Sequence, residues 1–178
     1  LKTEVTYTIH DNGCLDVSAQ YHGAEGRPEL PLFGLRFATP VPVERVEWVG
    51  LSGETYPDRK KGGIFGSHTE TPSITDYLVP QECGCHVETH QTVLHLGNHS
   101  LTIEKLGNTY AFSAIPYTPQ QLSEAHHTYE LPVPCRTIIT LCSTMRGVGG
   151  IDSWGADVEE AYHVPANSDY HLAFRVCL

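Results

Sequence analysis

Lysine and arginine are scarce in this chain: they number 11 against 21 aspartates and glutamates, for a formal net charge of −10. Nucleic-acid affinity rests on clustered cations that replace condensed counterions. No basic stripe is present, so no nucleic-acid partner is expected. Long apolar runs are also lacking. Nothing reaches the ~18 consecutive apolar residues of a membrane helix, and no basic segment leads into an apolar one as in a signal peptide. No membrane partner is expected. Methionine occurs once, at Met145, so no initiator heads the sequence. The expectation is one domain over residues 1–178, N-terminally incomplete and cut from something longer. Six cysteines in 178 residues are too sparse for a disulfide scaffold. Cys14, Cys135, Cys142 and Cys177 lie in or beside apolar runs and are expected to be reduced and packed as small hydrophobes. That state favours a cytoplasmic address.

A helical stripe is missing as well; what remains is strands and turns. Val5, Tyr7 and Ile9 alternate with polar neighbours, as do Leu15, Val17, Ala19 and Tyr21. Asp11-Asn12-Gly13 between them is a hairpin signal, because Asn and Gly tolerate positive φ. Extended runs are also expected at 32–38, 43–51, 87–96, 101–106, 110–115, 137–143, 158–164 and 170–178, the last with a clean period of two. One short helix is expected at Thr118-Pro119-Gln120-Gln121, with Thr118 as N-cap, Pro119 at N1 and Gln121 at N3. The Gly-, Ser- and Thr-rich stretch 59–75 reads as a long loop. Regular short strands with one brief helix make an all-β sandwich.

Chemistry-bearing residues are present without an assembled catalytic frame. Cys83, Cys85, His86 and His90 offer soft ligands within eight residues, but tetrahedral zinc usually takes two separated ligand pairs. A turn followed by a solvated strand face explains them better, and no metal is assigned. No Gly-x-Ser-x-Gly nucleophile elbow occurs. Glu159 and Glu160 would point to opposite faces of a strand and cannot flank one bond. Asp152 and Asp157 share a loop, with nothing to single them out as acid and base. The glycines of Gly147-Val-Gly149-Gly150 lack the Lys-Ser/Thr and following helix of a phosphate loop. They permit a sharp turn that holds Ile151 to Trp154 outward. Trp154 is the most informative residue here. An indole offers an apolar face and one N–H donor, which matches the C–H face and hydroxyl rim of a sugar. The alternative is an indole folded back as a plug for the core.

Several segments, in order, carry a resemblance. Trp48-Val-Gly50 followed by Glu54-Thr-Tyr56-Pro57-Asp58-Arg59 looks like a Trp-x-Gly…Glu-x-Tyr-Pro-Asp-Arg signature. Pro80-Gln81-Glu82-Cys83-Gly84 matches a Pro-x-Glu-x-Gly step. Phe112, Tyr117 and Leu122 followed by His126-His127 match a third stretch. Gly147-Val-Gly-Gly-Ile-Asp152-Ser153-Trp154 matches a fourth. The chain resembles the C-terminal, small-chain domain of lac-type β-galactosidases, glycoside hydrolase family 2.

The resemblance implies a β-supersandwich like that of galactose mutarotases, in an enzyme that hydrolyses terminal β-D-galactosyl bonds with retention. The two catalytic glutamates would lie in a barrel that this chain does not contain, so no catalytic residue is assigned here. The family's magnesium would belong to that barrel region. The implied role for Trp154 is a wall of the sugar site, with Asp152 and Ser153 as substrate-site supports. The implied partners are the remainder of the β-galactosidase chain or a large subunit, and a galactoside. Two alternatives stay open: a free-standing mutarotase-like aldose epimerase, for which Glu124, His126 and His127 are the clustered candidates, and a carbohydrate-binding module.

Overall fold

The computed structural model describes residues 2–74 and 83–178. Among these residues the chain forms β1 (Lys2–Ile9), β2 (Leu15–His22), β3 (Leu32–Ala38), β4 (Arg45–Leu51), β5 (Phe65–Glu70), β6 (Cys85–Thr89), β7 (Gln91–Leu96), β8 (His99–Lys105), β9 (Tyr110–Ile115), α1 (Pro119–Glu124), β10 (Ile138–Met145) and β11 (Tyr170–Cys177). The strands make two antiparallel sheets. The larger runs β1-β2-β11-β8-β7-β4-β5 and the smaller β3-β10-β9-β6. The expected all-β sandwich with one short helix is what forms. No helix among the described residues is long and apolar enough to cross a membrane.

Strand periodicity builds the core. The first hairpin pairs without a slip from Lys2↔His22 to Ile9↔Leu15, and Gly13 takes the positive φ its turn requires. Alternate residues Val17, Ala19 and Tyr21 of β2 point inward with Val46 and Trp48 of β4. They meet Phe33, Phe112, Ile139 and Leu141 of the smaller sheet. Tyr21 lies 5.8 Å from the Phe33 ring and Trp48 lies 5.9 Å from Phe112. The sheets therefore stack in step, with β3 under β2 and β11, and with β6 and β9 against β4.

All of β9 is buried, because its outer face is covered too. Ala111 packs with Leu51, Tyr56, Cys85, Met145 and Val148. Ile115 packs with Tyr117 and with Leu122, the buried residue of α1. The helix starts as its sequence dictates. Gln121 N donates to Thr118 Oγ1 at 3.2 Å, and Thr118 N donates to Gln121 Oε1 at 2.9 Å.

Four expectations need correction. The run 87–96 is not one strand: Glu88 turns through φ 57° and the chain crosses from β6 in the smaller sheet to β7 in the larger. The expected loop 59–75 contains β5, an edge strand paired with β4. Residues 158–164 are not extended, because Glu160–Tyr162 close a 3₁₀ turn with Tyr162 N donating to Glu159 O at 2.9 Å. Cys14 and Cys177 form a disulfide instead of remaining reduced. Pairing of β2 with β11 sets Val176 opposite Leu15 and so brings these cysteines together. Cys142 is buried as expected, whereas Cys135 is exposed.

Candidate functional site

Trp154 is 92% exposed, at the tip of the loop that follows β10. Leaving an indole in water forgoes roughly 4–6 kcal/mol of hydrophobic burial, so the loop must be held out. Three sets of contacts do this.

The first comes from the segment after β4. Gly53 turns at positive φ. The Glu54 carboxylate then accepts from the Tyr56 hydroxyl and, at 2.8 Å, from Gly84 N. Thr55 N donates to Cys85 O at 2.7 Å, and Tyr56 bridges back to Arg59. This tight fold pushes Tyr56 into the core, where desolvation raises its hydroxyl pKa. It also delivers Asp58 to the base of the glycine loop. Asp58 accepts from Val148 N at 3.0 Å and from Gly149 N at 2.9 Å. Arg59 donates to Gly149 O. The approach demands glycine at 147: a Cβ there would sit 2.8 Å from Asp58 Cγ and 2.9 Å from Tyr162 Cβ.

The second set holds the stem. Glu29 accepts from Arg146 Nε at 2.8 Å, from His163 Nδ1 at 2.8 Å and from Val164 N at 3.2 Å. Arg146 also reaches Asp157. The His163 hydrogen bond is the main cause of the lowered Glu29 pKa, and Glu29 in turn raises that of His163. The third set shapes the tip. Asp152 Oδ1 accepts from Trp154 N at 2.8 Å and from Ala156 N at 3.1 Å, and these backbone donors lower its pKa. Gly149, Gly150 and Gly155 all take positive φ. Ser153 is exposed beside the indole.

The arrangement presents an aromatic surface, and among the described residues its carboxylates are not disposed as an acid–base pair. Asp152 and Asp157 do not converge: Asp157 is engaged by Val158 N and Arg146, and both carboxyls are shifted down, away from a general acid. Glu159 and Glu160 are exposed. Glu124, His126 and His127 are exposed as well. Glu130 accepts from the backbone N–H of both histidines, and His127 stacks on Tyr129 at 5.1 Å.

The soft-ligand set scatters. Cys83 packs with Ile115 and Cys85 with Met145. His86 is not on a solvated face; it lies buried between Trp48 and Phe112, with ring nitrogens toward Gly53 O and Glu70. Among the described residues no group of three His, Cys, Asp or Glu is disposed to hold a metal ion. Residues 80–82 of the Pro-x-Glu step lie outside the described residues.

Asp152, Ser153 and Trp154, singled out in the sequence, lie together at the exposed loop tip. Sequence reading gave no role to Asp58 and Arg59, although a Pro-Asp-Arg turn and a glycine run in one chain are the parts of a clamp. Glu29, Arg146 and His163 carry no local signal, since they meet only through the fold.

The loop, its clamp and the sandwich bearing them coincide with a known family: the family model described as beta galactosidase small chain matches residues 1–176. The chain belongs to the β-galactosidase small chain family. It is 47% identical to a "Beta-galactosidase small subunit" of Latilactobacillus sakei, over 97% of this chain and 58% of the relative. It is 32% identical to a "Beta-galactosidase" of Streptococcus thermophilus, over 99% of this chain and 18% of the relative. A "Beta-galactosidase" of Halalkalibacterium halodurans matches at the same identity, over 99% of this chain and 18% of the relative. The chain thus spans only part of the length of the curated relatives it matches.

Proposed function

We propose that this chain is a non-catalytic component of a retaining β-galactosidase of glycoside hydrolase family 2. Trp154 then forms one wall of the galactoside pocket that the remainder of the enzyme completes. The observation that carries this reading is a nearly fully exposed indole on a loop clamped by Asp58 and Arg59 and braced by Glu29. An aromatic plate held in this way orients a sugar ring, and orientation is what a bond-cleaving carboxylate pair needs from its surroundings. The carboxylates of retention stand about 5 Å apart across the scissile bond, and the remainder of the enzyme supplies them. Asp152 keeps the tip folded through Trp154 N, and Ser153 lies at the pocket rim.

The test is Trp154→Ala in the intact enzyme. Stacking that buries roughly 80 Å² of apolar surface is worth about 2 kcal/mol, so KM for a galactoside rises about 30-fold, with the thermal transition unchanged. An unchanged KM, or unfolding with normal kinetics per folded molecule, overturns the role of Trp154. The 178-residue chain alone is expected to hydrolyse no galactoside and to mutarotate no galactose. Measurable mutarotation would turn the reading toward an epimerase, and tight galactose binding toward a carbohydrate-binding module.

A further inference from the structure

Two irregularities in the smaller sheet fall at one level. On β10, Cys142 pairs with Gly34 and Thr144 with Phe33, so Ser143 is the extra residue of a bulge. On β6, three steps from His86 to Thr89 oppose two on β9, from Phe112 to Tyr110, and Glu88 within that surplus holds φ 57°. β9 lies between these strands, with Ala111 opposite Cys142 and Tyr110 opposite Thr89. The bulges therefore flank the start of β9 from either side. The crossing between sheets requires a turn at Glu88 but not a glutamate. Glycine would make the same turn without strain.

A cavity of about 260 Å³ opens at this level. Its walls include Ser143 and Thr144 of β10, Glu88 of β6, Thr109 ahead of β9, and Lys60 and Tyr162. Ser143 Oγ is closed off from solvent and has no hydrogen-bond partner among the described residues. A buried hydroxyl without a partner carries an uncompensated desolvation cost. Bulges and strained residues concentrate where a protein holds a ligand. The Tyr162 carbonyl accepts from Gly147 N at 3.0 Å, which ties one wall to the stem of the Trp154 loop. Trp154 itself is not in the walls.

We infer that this cavity is a second, non-catalytic binding site for a neutral polyhydroxylated molecule the size of one sugar ring. Charge selects neutrality. Lys60 Nζ donates to the Glu88 carboxylate at 2.5 Å, and His163 at the wall is paired with Glu29, so neither an anion nor a cation finds a free counter-charge. The hydroxyls of Ser143, Thr144 and Thr109 donate and accept, which suits a polyol and not an apolar molecule. The volume lies just below the ~300 Å³ at which ordinary small-molecule pockets begin, so one ring fills it. A serine hydroxyl turns among three staggered positions. A hydroxyl of the occupant fixes the one that faces the cavity and supplies Ser143 with its missing partner. The cavity's own chemistry carries the polyol assignment, and the choice of galactose as probe rests on the proposed function.

The experiment is hydrogen exchange of the intact β-galactosidase across a concentration series of D-galactose, read on peptides spanning 109–113 and 142–146. At ten times the half-saturating concentration, exchange in both peptides is expected to slow about tenfold. Trp154→Ala should leave this protection in place. Ala161→Trp, at an exposed position on the cavity wall, should abolish it by closing the mouth. Ser143→Ala should raise the half-saturating concentration about fivefold through the loss of one hydrogen bond. Absence of protection in the unsubstituted enzyme overturns the site. Protection lost in Trp154→Ala belongs to the Trp154 pocket and overturns it as well, as does protection that survives Ala161→Trp. Protection by inorganic phosphate in place of galactose overturns the assignment of a neutral occupant. Galactosidase turnover without protection of these peptides sinks the second site and leaves the functional reading standing. Protection without turnover leaves the site standing and removes the enzymatic reading.

Discussion

The chain has two tryptophans, and they are opposites. Trp48 is 4% exposed and Trp154 is 92% exposed. Trp48 sits at an inward position of β4. It packs on His86 at 4.3 Å and His68 at 5.3 Å, and its indole N–H donates to Leu51 O at 2.9 Å. Strand periodicity alone explains it, and its one polar atom is satisfied. Trp154 has none of this. Its backbone is fixed by glycines and by aspartates, and its side chain is left unspent. One residue type serves as a structural anchor where backbone geometry directs it inward, and stands in solvent where the loop denies it that option.

The largest expected effect comes from breaking the buried member. Trp48→Ala removes a large core aromatic and is expected to destabilise the domain by about 3–5 kcal/mol, read by denaturant unfolding. Asp58→Ala strikes the support of the exposed member. It leaves the N–H groups of Val148 and Gly149 without their acceptor, a loss of about 1–3 kcal/mol. It should also lower the fluorescence anisotropy of Trp154 in a Trp48→Phe background, and a Trp154 signal that stays rigid would show that the clamp is dispensable. Trp154→Ala should change stability by no more than about 0.5 kcal/mol, as for surface substitutions in general. In the 178-residue chain it should abolish nearly all iodide quenching of tryptophan emission, because Trp48 is shielded.

The smallest expected effect is on pH. The raised His163 contributes its bond to Glu29 fully below its ordinary value of 6.5, and that contribution is lost as pH rises through the folded value. The lowered Glu29 contributes above its ordinary value of 4.5, and that contribution is lost as pH falls through its folded value. Trp154 anisotropy should therefore be greatest between these limits. His163→Gln should flatten the alkaline limb and leave Trp48 unaffected; an unaltered limb would exclude His163 as its source.

Where side-chain alternation and burial coincide, the sequence was readable. β9 and β11 follow from their patterns, and Thr118-Pro119-Gln121 announces α1. β5 was hidden because Phe65-Gly-Ser-His-Thr-Glu70 is an edge strand with little to bury. The break within 87–96 was hidden because both halves are apolar enough for strands, and only the positive φ of Glu88 separates them. The segment 158–164 misled because Val158 and Val164 are buried as they would be on a strand, although a 3₁₀ turn joins them. The Cys14–Cys177 bond spans 163 residues, and only the pairing of β2 with β11 brings its ends together. At the site the tip was legible as a contiguous motif. Its supports were not, because Asp58 and Glu29 act on residues remote in sequence.

That remoteness has a consequence for how the molecule matures. Asp58 grips a partner 90 positions away, and Glu29 grips Arg146 across 117. Contacts of such separation form only after the intervening chain has been ordered. The indole is therefore put on display late, once both sheets have closed, and an unfinished or damaged copy has no platform to offer. The clamped display of the indole becomes a readout of completed folding.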